Sequence, residues 1–117
     1  MAAPNIVGVT TITGKTAVQA VTTSATAIVT NSAASNKVFK VNALYISNID
    51  GTNNADINVD IFRSSTAYRI AYTITVPADA TLDIISKSIY LEEGDALRLT
   101  ASANSRLEAV CSYEEIS

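Results

Sequence analysis

The sequence predicts an all-β protein, an antiparallel β-sandwich of about seven to nine strands with jelly-roll or immunoglobulin-like connections. Three observations lead to this prediction. Val, Ile and Thr occur throughout the chain and favour extended backbone over helix. Several short segments alternate apolar and polar residues, as half-buried strands do. Turn-forming residues separate these segments at intervals of about ten residues.

The N-terminal third, residues 1–36, is predicted to form two or three short strands. We place them near Ile6–Thr13, Ala17–Thr22 and Ala25–Thr30, because the density of threonine outweighs the helical preference of the alanines. Lys15 is the only charged side chain in this third. Since charged residues are depleted at interface cores, the segment is a candidate arm that packs on a partner subunit. The alternative is an ordinary pair of strands with hydroxyl-bearing outer faces.

The middle region begins with the strand KVFKVNALYISNID, residues 37–50. Its alternation is lost where Leu44, Tyr45 and Ile46 follow one another, which indicates burial on both faces or a β-bulge. The next segment, DGTNNAD, is rich in Gly, Asn and Asp and is therefore predicted to be a turn. INVDIF, residues 57–62, alternates and is predicted to be a half-buried strand.

The most regular strand is YRIAYTITV, residues 68–76, which ends at Pro77 because proline cannot donate to a sheet ladder. The segment RSSTA before it is predicted to turn the chain. Strict alternation places the larger apolar side chains of the strand on one face. These are Tyr68, Ile70, Tyr72, Ile74 and Val76. We expect Tyr45, Tyr68 and Tyr72 to be half-buried sheet residues.

Further strands are predicted in ADATLDIIS, KSIYL, ALRLTAS and LEAVCSYEEI. In the last of these Leu107, Ala109 and Cys111 share one face, so Cys111 is predicted to be a buried structural thiol. A single cysteine cannot form an internal disulfide, which favours synthesis in a reducing cytoplasm. All strands fit one domain, residues 1–117, because this length is close to the commonest domain size.

The charge distribution argues against nucleic acid and membrane as partners. The formal net charge is −3, and the eight Lys and Arg residues are scattered rather than grouped to neutralise phosphates. The sequence has no basic amphipathic face, and no apolar run approaches the roughly 20 residues of a membrane span. The N-terminal MAAPNIVGVT lacks the charged and apolar regions of a signal peptide.

The residue types leave little catalytic chemistry. The chain contains no His and one Cys, which excludes Ser-His-Asp and Cys-His nucleophilic sites, His-ligated metals and thiolate clusters. The glycines form no phosphate-binding cluster. We therefore expect a protein that is not an enzyme and that has no cofactor and no metal site.

The strongest remaining candidates for chemistry are Glu92, Glu93 and Asp95 in LEEGDAL. Calcium takes about six to eight oxygen ligands, usually from spaced positions, and a glycosidase needs two carboxylates that face each other across a cleft. Three clustered acids provide neither arrangement. We interpret them as the soluble tip of a tight turn, in which Gly94 takes a conformation that other residues avoid.

The other acidic residues are predicted to be exposed. Asp56 and Asp60 lie on the polar side of the predicted strand INVDIF, where solvent exposure is the default. Glu114 and Glu115 are expected to solvate the terminal strand or to meet a basic patch on a neighbouring molecule.

The segments VPADATLDIISKSIYLEEGDALRLTAS and SYEEI, together with the N-terminal MAAPNIVGVTTITGKTA, resemble small virion structural proteins of tailed phages, particularly phages of marine cyanobacteria. The resemblance covers essentially the whole chain. It implies a β-sandwich displayed in many copies on a particle, where it decorates or cements the capsid. It does not distinguish capsid from tail or fibre, whose proteins use similar modules.

We therefore predict a non-enzymatic capsid decoration or cement protein, made in the host cytoplasm and located on the capsid surface of the virion. Its predicted partners are the major capsid protein and copies of itself, as a homo-oligomer or in multiple copies. The predicted contact residues are Ile6, Val7, Val9, Ile12, Val18, Val21, Ile28 and Val29. The alternatives are a tail, neck or fibre-associated sandwich, a receptor- or carbohydrate-binding module, and a carboxylate-based hydrolase.

Overall fold

Nine strands in two antiparallel sheets make up the computed structural model of the protein, which describes residues 4–117. The strands are β1 (Ile12–Val21), β2 (Thr26–Thr30), β3 (Val38–Asn48), β4 (Ala55–Arg63), β5 (Thr66–Val76), β6 (Thr81–Asp83), β7 (Ile89–Leu91), β8 (Ala96–Ala101) and β9 (Leu107–Ile116). The predicted all-β sandwich is confirmed. Residues 4–117 include no helix that is long and apolar enough to span a membrane.

The strand order is that of a jelly roll. The first sheet has the order β1-β9-β3-β6, with β7 also paired to β3, and the second sheet has the order β2-β8-β4-β5. Strands from the two halves of the chain therefore pair as in one long hairpin, β1 with β9, β2 with β8, β3 with β6 and β7, and β4 with β5. Wrapping this hairpin adds the β9–β3 and β8–β4 pairs that complete the two sheets.

The tip of this long hairpin is the turn between β4 and β5. Ser64 and Ser65 have φ values of 52° and 60°, so both central residues of the two-residue turn are in the left-handed region. Type I′ turns require this conformation, and their twist matches that of the flanking strands. The predicted turn at RSSTA is confirmed, although it uses two serines where asparagine and glycine are preferred.

The N-terminal strands differ from those expected. The segments Ile6–Thr13 and Ala17–Thr22 do not form two separate strands, since one strand, β1, begins at Ile12. β9 offers an unbroken partner over ten residue pairs, which holds Gly14 within the strand. Residues 4–11 form an arm, in which the Gly8 N–H donates to the Asn5 carbonyl at 3.0 Å.

The core lies between the sheets and is built from the side chains that face inward at alternate positions of the strands. Its largest fully buried apolar side chains are Leu44, Ile46, Ile57, Leu91, Leu97, Leu99 and Leu107. Cys111 is buried beside them, which confirms the structural thiol. Burial raises the pKa of this thiol to about 11, so it stays protonated near neutral pH.

Two β-bulges change the faces of β5. The register against β4 shifts between Ile57 and Val59 and again between Val59 and Asp60. Each shift moves the following side chains to the opposite face of the sheet. Ala71 therefore packs against the core opposite Val59, where strict alternation had placed it on the other face. The predicted single apolar face of this strand is wrong.

Most of β5 is exposed. Tyr68 and Tyr72 are 58% and 63% exposed, so the prediction that they are half-buried is wrong. Tyr45, at 43%, is also exposed. β3 contains a bulge, one of the two expected alternatives, but its register shift lies between Val41 and Ala43, and Leu44, Tyr45 and Ile46 themselves alternate between buried and exposed.

Candidate interaction surface

The acidic segment Glu92–Asp95 is a tight turn, as predicted. The Asp95 N–H donates to the Glu92 carbonyl at 3.0 Å, which closes the turn between β7 and β8. Gly94 is the third residue of the turn and has a φ of 88°. A type II turn requires positive φ at this position, and glycine reaches it without steric cost.

Asp95 does more than keep the turn soluble. Its side chain is buried and accepts hydrogen bonds from Arg63 Nε at 2.7 Å, Arg63 Nη2 at 2.6 Å and the Glu92 N–H at 2.8 Å. Burial raises the pKa of Asp95, but these hydrogen bonds and the charge of Arg63 outweigh it and hold the pKa below its usual value. The carboxylate is therefore the anchor of an ion pair between the turn and the end of β4.

The loop between β2 and β3 is fastened to the same turn. Glu93 Oε2 accepts a hydrogen bond from the Asn36 N–H at 2.9 Å. The buried Asn31 side chain donates to the carbonyls of Lys37 and Leu91 at 2.9 and 3.0 Å. The acids of the turn thus serve a structural role, since their contacts are to neighbouring segments of the chain.

The second sheet buries a carboxylate that the sequence placed in solvent. Asp60 is fully buried, so the prediction of exposure is wrong. It accepts a hydrogen bond from Arg98 Nε at 2.9 Å, and Arg69 Nη1 lies 3.7 Å away. The Arg98 guanidinium also stacks over the Phe62 ring at 3.9 Å. Arg98 and the neighbouring side chains cover Asp60 on the outer side of the sheet.

One acid of the terminal strand, Glu115, also pairs within the chain. Glu115 lies 2.7 Å from Lys15 Nζ and 3.1 Å from Lys37 Nζ, so this residue meets bases of its own molecule. The hydrogen bond from Lys15 lowers the pKa of Glu115. Within residues 4–117, no three His, Cys, Asp or Glu side chains are grouped so that they could hold a metal ion.

The predicted contact residues fall into three environments. Ile6 and Val7 lie exposed in the arm, Val7 at 91%, and Val9 is partly buried there. Ile12 and Val18 are exposed on β1, at 59% and 74%.

The remaining three predicted contact residues face the interior. Val21 and Val29 are buried in the core, and Ile28 packs partly buried against it. These side chains are used within the fold. The exposed part of the predicted set is therefore the arm and β1.

On the outer face of the first sheet, strand pairing places Val18 in a row with exposed residues of two neighbouring strands. Val18 lies opposite Val110, and Val110 lies opposite Tyr45 on the next strand. All three side chains are exposed, and we call them the apolar row. Sequence reasoning missed Val110 and Tyr45 because alternation identifies opposite faces of a strand but not which outer positions align across strands.

Small and charged residues surround the apolar row. Ala20, Ser47 and Ser112 are neighbours on the same face, and Glu108 and Asp83 lie at its margin, opposite Ser47 and Tyr45. An apolar centre with a polar margin is the usual composition of a protein interface. A depression of about 340 Å³ follows β1 and β9 beside Val18 and Val110.

Comparisons with known proteins leave the function to be argued from this geometry. No protein-family model matches the chain, and no curated protein matches it.

Proposed function

We propose that the protein is a non-enzymatic structural component of a phage virion, which decorates or cements the capsid by binding the major capsid protein. The observation that carries this proposal is the apolar row of Val18, Val110 and Tyr45 on the outer face of the first sheet. An open apolar face with a polar margin suits a protein partner better than a small ligand, which is usually enclosed by its pocket.

The chemistry of the chain supports a binding role. Asp95, Asp60 and Glu115 are engaged in ion pairs with arginine and lysine of the same molecule. These contacts hold distant segments of the sandwich together, which is a structural use of the three carboxylates. The sequence resemblance to small phage virion proteins assigns the partner, since a jelly roll alone occurs in proteins with many functions.

In this proposal the protein acts through non-covalent contacts alone. The apolar row packs on the capsid protein and loses its contact with water, which contributes roughly 25 cal/mol for each Å² of apolar surface buried. The charged margin, which includes Glu108 and Asp83, sets orientation and excludes wrong partners. A molecule that bridges neighbouring capsid subunits in this way stiffens the shell against internal pressure.

A reconstruction of the virion tests the location. We expect density for the sandwich on the outer surface of the capsid, with the first sheet toward the shell. Density confined to the tail, neck or fibre would replace the capsid proposal by the tail alternative. A particle that lacks the protein would overturn both.

A substitution in the apolar row tests the contact surface. We expect Val110→Lys to reduce co-sedimentation of the protein with stripped capsids by tenfold or more, because it places a charge at the centre of the interface. Ile74→Lys on β5 is the matched control, since Ile74 and Val110 have similar exposure, 42% and 39%, on different sheets. Equal binding by the two variants would move the contact surface away from the first sheet.

A further inference from the structure

The edge strands of the two sheets differ in how well they are protected against pairing with other chains. β2 has five residues and a register shift between Ala27 and Val29, β5 has two shifts, and β6 and β7 have three residues each. Short length and bulges are the devices by which proteins blunt sheet edges against pairing with other chains. β1 has neither, because it runs for ten residues in one continuous register with β9.

The hydrogen bonds at the start of β1 show which of its backbone groups point outward. The Thr11 N–H donates to the Ser117 carbonyl at 2.9 Å, and the Ser117 N–H donates to the Thr11 carbonyl at 3.0 Å. In an antiparallel ladder such mutually bonded pairs alternate with pairs whose backbone groups point away. Because the register is unbroken, every even-numbered residue of β1 directs its N–H and C=O away from β9. These residues are Ile12, Gly14, Thr16, Val18 and Ala20.

We propose that β1 pairs antiparallel with β1 of a second copy of this chain, about a two-fold axis that passes by Thr16. In this register Thr16 lies opposite itself, Gly14 opposite Val18, and Ile12 opposite Ala20. All five outward-facing residues then exchange backbone hydrogen bonds with the partner copy. The two first sheets become one continuous sheet across the dimer.

The side chains favour this register over its neighbours. Lys15 lies opposite Ala17 here, whereas a shift of two residues toward the N-terminus places Lys15 opposite the partner's Lys15 and costs like-charge repulsion. A shift of two residues in the other direction leaves Ile12 without an opposite residue in the β1 strand of the second copy.

Two further features leave the edge open for the partner copy. A Cβ added at Gly14 would have no atom within 4 Å. There is therefore space beside Gly14 for the Val18 side chain of the second copy, which lies opposite it in the proposed register. Lys15 Nζ lies 2.7 Å from Glu115 on β9, so the ammonium group is directed toward β9 and away from the outer edge of β1.

A second copy fits this edge because the strand is complementary to itself, as a two-fold interface requires. The contact is a strand of ten residues, roughly 33 Å long, and belongs to the small class of interfaces. We therefore expect a dissociation constant on the order of micromolar. A two-fold axis perpendicular to the sheet keeps the two apolar rows on the same face, so one dimer presents both rows to one partner surface.

A cysteine cross-link tests the register. In Thr16→Cys the two new thiols face each other across the axis, where paired Cα atoms are about 5.5 Å apart, within the range of a disulfide. We expect mild oxidation to convert this variant to a covalent dimer. Ala20→Cys is the matched control, because its thiols lie eight residues apart along the paired strands. Cys111 stays in both variants, since it is buried and protonated. Failure of Thr16→Cys to cross-link, or equal cross-linking of the control, would overturn the proposed pairing.

Sedimentation of the purified protein tests the dimer itself. We expect the wild-type protein to be dimeric at about 100 μM and to dissociate on dilution through the micromolar range. Thr16→Pro removes an outward N–H, and Val18→Lys places a charge on the edge, so we expect both to be monomeric with unchanged circular dichroism. Val110→Lys lies off the edge and stays dimeric.

The possible outcomes separate self-pairing from other uses of the edge. A wild-type protein that is monomeric at all concentrations, or a dimer that survives both edge variants, would overturn the inference. If the monomeric protein bound capsids and Thr16→Pro abolished that binding, the edge would accept a strand of the capsid protein instead. Dimerisation of the purified protein does not depend on its place in the virion, so the two proposals fail separately.

Discussion

Arg63 and Asp95 form the tightest ion pair between distant segments of this sandwich. Arg63 Nε and Nη2 donate to the two carboxylate oxygens of Asp95 at 2.7 and 2.6 Å. The Asp95 side chain is 1% exposed, whereas that of Arg63 is 46% exposed. Since Arg63 ends β4 and Asp95 precedes β8, the pair fixes the tip of the β4–β5 hairpin to the turn that begins β8.

Replacement of Asp95 by asparagine is expected to lower the free energy of unfolding by about 2 kcal/mol. Asparagine keeps the shape of the side chain but replaces an acceptor of Arg63 by an amide donor, which leaves buried polar groups poorly paired. Urea denaturation measures the loss. Glu92→Gln is the control, because Glu92 meets the same arginine at 2.9 Å but is 65% exposed, so its loss should stay within about 0.5 kcal/mol. Equal losses in the two variants would mean that burial of Asp95 is unimportant.

Stability is expected to fall in acid. The pKa values of Asp95 and Glu115 are lowered in the folded protein, and the unfolded values are about 3.9 and 4.3. The unfolded state therefore binds more protons in acid. The stabilisation is complete above about pH 5 and is lost as the pH falls through about 4 toward the folded pKa values. Urea midpoints between pH 7 and 3 measure this, and Asp95→Asn and Glu115→Gln should each flatten the decline. A midpoint that stays constant down to pH 3 contradicts the prediction.

Ser65→Gly is expected to stabilise the protein by about 0.5 kcal/mol. Ser65 has a φ of 60°, a conformation that is strained for serine and free for glycine, and this gain exceeds the entropy that glycine adds to the unfolded chain. The rise in Tm should be about 2 °C. Ser24→Gly is the matched control, because Ser24 lies in the β1–β2 loop without positive φ, and there only the entropic cost remains. If both variants lower the Tm, the turn is not of type I′.

Asp60→Asn is expected to lower the free energy of unfolding by about 2 kcal/mol, because Arg98 loses its buried partner at 2.9 Å. Asp56→Asn on the same face of β4 is the control. Asp56 accepts a hydrogen bond from the Thr75 hydroxyl at 2.9 Å near the surface, and asparagine can still accept it. Thermal unfolding of both variants compares them, and similar Tm values would show that Asp60 is not held as the structure describes.

The strands of the C-terminal half were the most predictable from sequence. LEAVCSYEEI corresponds to β9, since Leu107, Ala109 and Cys111 face the core and alternate with the outward-facing Glu108, Val110 and Ser112. The acidic turn was predictable from Gly94, because few residues accept its φ. The paired role of Asp95 was not, because its partner Arg63 lies 32 residues earlier in the chain.

The faces of β5 could not be predicted because a β-bulge leaves no periodic signal. The sequence YRIAYTITV alternates without a break, yet two register shifts against β4 turn Ala71 toward the core and leave Tyr72 exposed. In the N-terminal region, β1 runs through Gly14 because β9 supplies a continuous ladder from Ile12 to Val21.

The sequence by itself determined that this chain forms sheets and where most strands lie, because alternation and turn composition act over a few neighbouring residues. The tertiary structure decided the rest. It selected the jelly-roll order, aligned Val18, Val110 and Tyr45 across three strands, and left the edge of β1 as the long unbulged one. These features depend on the register between segments distant in sequence, and a shift of one residue in that register exchanges the buried and exposed faces of a strand.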